Sequence, residues 1–144
     1  MAVPASALPP AEIATRLRAA RHALLTLAAT LPEDAWIGPC AENLNPPLWE
    51  LGHIAWFQER WCLRLKPGRD PSDSPLLEAL APGRRPWADW LYDSSRIPHA
   101  ARWKAPLLSR EETFGYAAEV LDAVNAKAAS GRFEPDFPYY AELS

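Results

Sequence analysis

The segment NPPLWELGHIAWFQERWCLR, residues 45–64, limits the fold more than any other part of the chain. Asn45 suits an N-cap and Pro46 the first helical position, so a helix is expected from about 46 to 65. Pro67-Gly68 then ends it. Wound as a helix, this stretch is apolar on nearly every side. Such a helix is stable only when other elements cover most of it. The rest of the chain therefore has to supply a helical jacket.

Two further segments can do so. Ile13, Leu17, Ala20, Leu24, Leu27 and Leu31 recur at alternating spacings of four and three, which predicts a helix over about 11–31. Pro10 suits its first turn and Pro32 ends it. Ser109-Arg-Glu-Glu112 has the form of a capping box and opens a helix expected over 110–129. Phe114, Ala117, Ala118, Leu121, Val124 and Ala128 are its expected buried face, and Ser130-Gly131 its stop. The last residues, YYAELS, read as the opening of a fourth helix. The expected class is all-α: an up-down bundle of three long antiparallel helices plus the start of another.

Between the second and third long helices lies a Pro- and Trp-rich connection, about 67–108. Short helices are expected near Ser74–Ala81 and Trp87–Tyr92. Connections this long tend to be functional. This one carries Trp87, Trp90, Tyr92 and Trp103 beside Arg84, Arg85, Arg96, Arg102 and His99, a composition that suits a pocket wall as well as a loop pinned down by its aromatics.

The totals narrow the function classes. Residues 1–144 have the length of one domain, and 49% are hydrophobic, enough for a core. A formal net charge of −3 without a basic block disfavours nucleic acid. No apolar run reaches membrane-spanning length, and the N-terminus has no signal-peptide pattern. Cys40 and Cys62 form no CxxC pair, so two reduced thiols in a cytoplasmic protein are expected.

Of three histidines, His22 falls opposite the leucine stripe and His99 lies in the long loop. His53 sits inside the apolar helix, sharing a face with Trp49, Glu50, Trp56, Phe57 and Arg60. A lone imidazole there is more often a satisfied core residue than a ligand. Gly52, beside it, costs helix stability and points to a close approach by another group.

The motif adds to this. Residues 45–64 resemble the Gly-His helix of the DinB-like N-terminal domain in the ergothioneine and selenoneine synthase family. LYDSSRIPHAARW and LLSREETFGYAAEVLDAV resemble the loop and helix that follow it, nearer the selenoneine branch. The resemblance implies a four-helix bundle that gives three histidines to a mononuclear non-haem iron(II). His53 would be one, and an HxxxH-type pair on the fourth helix the others. A formylglycine-enzyme-like second domain would complete the active site. The implied reaction uses O2 to join sulfur or selenium, from a thiol or selenol donor, to the imidazole of hercynine. Tyr92, Arg96, His99 and Arg102 are expected to line a cavity near His53, because relatives use this loop beside the substrate.

The sequence carries neither the histidine pair nor the second domain, so this chain alone is expected to bind no iron tightly and to be inactive. Two alternatives stand beside this reading. One is a DinB-like thiol-dependent S-transferase. The other is a non-catalytic helical module that completes its bundle with a partner or by self-association through an exposed groove.

Overall fold

The computed structural model describes residues 8–66 and 80–144. Among these the regular structure is helical, as expected. The helices are α1 (Pro10–Ala28), α2 (Pro47–Gln58), α3 (Ala88–Tyr92), α4 (Arg110–Ser130) and α5 (Phe137–Leu143). Single 3-10 turns span Glu33–Trp36 and His99–Trp103, and α2 runs into a π-helical turn at Glu59–Leu63. The helix expected near Ser74–Ala81 lies largely outside the described residues.

The local signals at α4 act as read. The Ser109 hydroxyl accepts the Glu112 N–H at 3.1 Å, and the Glu112 carboxylate accepts the Ser109 N–H at 2.9 Å. Gly131 ends the helix with φ +63°, a left-handed conformation that glycine adopts without strain. At α2 the start moves by one residue. Pro46 is the N-cap and Pro47 the first helical residue, with no side-chain cap. Asn45 instead donates its amide N–H to the Glu50 carboxylate.

Packing partners fix the helix directions. Trp36 joins Leu48 and Leu51 at the start of α2 to Phe114 at the start of α4, and meets the Phe114 ring edge-on at 5.7 Å. At the far ends, Lys127 Nζ donates to the Cys62 carbonyl at 3.0 Å. So α2 and α4 run in the same direction, and the long connection carries the chain back between them. The second half of α1 meets the start of α2, so α1 runs opposite to both. The expected antiparallel relation therefore holds for α1, while α2 and α4 are parallel.

Burial also departs from the leucine stripe. On α1 the buried residues are Ile13, Ala14, Leu17 and Arg21, whereas Leu27 is 69% exposed and Ala20 is exposed. The helix turns this way because Arg21 packs inward, donating to the Ala117 carbonyl at 2.9 Å and to Gln58 Oε1 at 3.1 Å. On α4 the buried face is Thr113, Tyr116, Ala117, Val120, Val124 and Ala128, and Ala118 is exposed. Leu24, Leu27, Leu31, Leu51 and Ile54 line an apolar cleft of about 370 Å³ between α1 and α2.

Candidate functional site

The site is built where α2 meets α3. A helix leaves its last carbonyls without helical partners, and α3 is only five residues long. Ring N–H groups of α2 satisfy them. Trp49 Nε1 donates to the Leu91 carbonyl at 2.9 Å, and His53 Nδ1 lies 2.8 Å from the Tyr92 carbonyl. One turn on, Trp56 Nε1 donates to Asp89 Oδ1 at 2.7 Å. Three ring nitrogens on successive turns of α2 thus hold one short helix.

The same three rings form a column. The His53 imidazole stacks on Trp49 with centroids 4.8 Å apart and planes 11° apart. Its other neighbour is Trp56, at 5.6 Å and 29°. Guanidinium groups cover both ends. Arg102 lies 4.2 Å from the Trp49 ring and Arg60 5.1 Å from the Trp56 ring. These are cation–π distances. His53 itself is half-buried and also touches Phe57.

A carbonyl can only accept, so His53 Nδ1 carries the hydrogen and the lone pair of the neutral ring is on Nε2. This is the state in which histidine binds metals, with the other ring nitrogen donating to a backbone carbonyl. The acceptor is Tyr92; Glu50 on the same face is taken by Asn45.

Below this column lies a charge network. Arg64 makes two bonds of 2.7 Å to the Asp89 carboxylate, and Arg60 a third contact at 3.3 Å. The Arg64 hydrogen bond, joined by that of Trp56, holds the Asp89 carboxyl at about 2, against burial acting the other way. Glu59 is buried, accepting the Tyr116 hydroxyl at 2.6 Å and the Arg84 N–H at 2.6 Å. Burial, with the Glu59 hydrogen bond and charge, pushes the Tyr116 phenol far up. These groups spend their hydrogen bonds on one another.

The sequence-predicted residues fall in different places. Arg102 reaches the column, covering Trp49 and donating to Asn45 Oδ1 at 2.7 Å and the Ser94 carbonyl at 3.3 Å. Tyr92 reaches it through its carbonyl, but its ring is fully enclosed, and burial pushes its phenol up to about 12. His99 donates from Nε2 to the Leu44 carbonyl at 2.6 Å and meets the Trp103 edge. Arg96 is half exposed, pairs with Asp93 at 3.4 Å, and lines a surface pocket of about 290 Å³ with Trp90 and Lys104. His22 is exposed. Sequence reasoning missed Asp89 and, although it put Arg60 on the His53 face, did not foresee that Arg60 and Arg64 would meet that carboxylate. Among the described residues no three His, Cys, Asp or Glu side chains gather as a metal site. His53 fits as one donor, and a non-haem iron needs more.

The model of the DinB superfamily matches residues 16–141. The chain belongs to the DinB superfamily. It is 36% identical over 115 residues to a hercynine oxygenase of Mycolicibacterium thermoresistibile, covering 79% of this chain and 23% of that protein. It is 33% identical over 129 residues to a hercynine oxygenase of Mycobacterium tuberculosis, covering 85% of this chain and 27% of that one. The chain thus spans about a quarter of the length of these curated relatives. No described helix is long and apolar enough to cross a membrane.

Proposed function

We propose that this DinB domain is the metal-site domain of a non-haem iron(II), O2-dependent enzyme that joins sulfur or selenium to the imidazole of hercynine. One observation carries the reading: the Tyr92 carbonyl holds His53 Nδ1, which leaves Nε2 as a donor between two indoles. The names of both relatives support the choice of hercynine as substrate.

Iron would supply the oxidising chemistry, with His53 as one ligand and the remaining ligands and a second domain outside this sequence. This chain's own part is to orient the imidazole, keep water off its faces with Trp49 and Trp56, and hold the 93–103 loop beside it. Arg102 fixes that loop against the column. Arg96 and His99 lie along the same loop, which we take as the substrate side of the domain, with Arg102 and the Tyr92 backbone at the column and Arg96 and His99 farther along. Arg96, half exposed, carries charge suited to a carboxylate of a substrate.

The test is an aerobic assay of the intact protein in which this domain occurs, with iron(II), hercynine and a thiol or selenol donor. The expected product is hercynine carrying sulfur or selenium on its ring, detected by mass spectrometry. The His53→Ala protein is expected to give none. A wild-type protein that leaves hercynine unchanged, or a His53→Ala protein as active as wild type, contradicts the reading.

A further inference from the structure

Gly52 has no side chain at the point where Tyr92 comes closest. A Cβ built on Gly52 would lie 2.3 Å from two carbons of the Tyr92 ring and 2.6 Å from its oxygen. Ordinary van der Waals contact begins near 3.4 Å, so the ring would have to retreat by about 1 Å. It cannot swing into solvent, because Tyr92 has no exposed surface. Trp49 and Trp87 flank it, each with its centroid 6.4 Å away. The displacement therefore passes to the Tyr92 backbone, whose carbonyl lies 2.8 Å from His53 Nδ1. A hydrogen bond at that length is lost when its acceptor retreats by about 1 Å.

We infer that Gly52 and Tyr92 are positioning residues that choose the tautomer of His53. The space that Gly52 leaves lets the Tyr92 carbonyl stand within reach of His53 Nδ1. The carbonyl keeps the hydrogen on Nδ1 and the lone pair on Nε2. Tyr92 thus acts through its backbone carbonyl, while its phenol stays enclosed. For its meaning in catalysis this rests on His53 being a metal ligand, but the tautomer is a property of the metal-free chain and is read without metal.

The experiment is 15N NMR of the histidine rings in the metal-free protein at alkaline pH, where imidazole is neutral, with His53 assigned by comparison with His53→Ala. Wild type is expected to show Nδ1–H as the dominant form. Gly52→Ala is expected to lose it, with Nε2–H becoming the majority. Gly52→Ala combined with Tyr92→Leu makes room for the Cβ and keeps the carbonyl, so it is expected to restore Nδ1–H. A Gly52→Ala protein that retains Nδ1–H overturns the inference. If Gly52→Ala alone does not fold, Tyr92→Leu and the double variant decide: both are expected to fold with Nδ1–H dominant. A double variant that stays unfolded, or that carries Nε2–H while Tyr92→Leu does not, overturns it. Loss of iron binding in His53→Ala is a separate result, so the metal reading and the tautomer inference can fail independently.

Discussion

The two halves of α2 use the same neighbour, α3 and its approach, in opposite ways. The first half, around Trp49 and His53, meets it with ring N–H groups on backbone carbonyls and leaves one imidazole nitrogen as a donor. The second half, with the π turn that follows, meets it with Arg60, Arg64 and Glu59, whose charges are matched by Asp89, Tyr116 and the Arg84 N–H. The lower half holds the long connection in place. The upper half gains a preorganised imidazole from that anchoring. The charge network and the proposed metal donor therefore sit one helical turn apart, with Trp56 belonging to both.

The contrast can be broken most strongly at Asp89. Asp89→Ala strips the buried Arg60 and Arg64 of their carboxylate and Trp56 of its acceptor. Unpairing a buried charge costs about 3 kcal/mol, here at the low end of the usual range because Asp89 is partly exposed. Urea unfolding measures it. Arg102→Ala, at the upper end of the column, removes one cation–π contact and a hydrogen bond to Asn45. Its expected cost is smaller, about 1–2 kcal/mol. Equal losses at the two positions would erase the division.

Acid sharpens the same comparison. Asp89 is held at about 2 against an ordinary 3.8, so the folded protein binds this proton less readily than the unfolded chain. Its contribution is complete above about pH 5 and disappears as pH falls through 4 toward 2. Stability measured across that window is expected to converge between wild type and Asp89→Asn at the acid end. A gap that stays constant with pH would show that the carboxylate charge is not what stabilises this region. The smallest effect belongs to neither half: Ser109→Ala removes the hydroxyl of the α4 capping box and is expected to cost about 1 kcal/mol.

What could be read from the sequence follows the range of the forces involved. The Ser109–Glu112 box and the Gly131 stop involve neighbours in the chain, and both appear as read. The apolar character of residues 47–58 required burial whatever surrounded them, and they are central. The face of α1 was misread because a leucine spacing does not reveal that Arg21 finds the Ala117 carbonyl 96 positions away. Gly52 announced a close approach but not by what, since the Tyr92 ring comes from another element. The loop residues were grouped by composition. Folding separates them: Arg102 reaches the aromatic column, His99 a backbone carbonyl at Leu44, and Arg96 a surface pocket.

The central claim is that His53 Nε2 is built to hold a metal. Anaerobic iron(II) titration of the intact protein, wild type against His53→Ala, tests it most directly. A neutral imidazole whose other nitrogen is fixed by a carbonyl is a good ligand, and losing one of a few such donors weakens the site severely. The account predicts saturable binding of iron(II) by wild type and its loss in His53→Ala, with the fold retained by circular dichroism. Unchanged iron binding in a folded His53→Ala protein would contradict it.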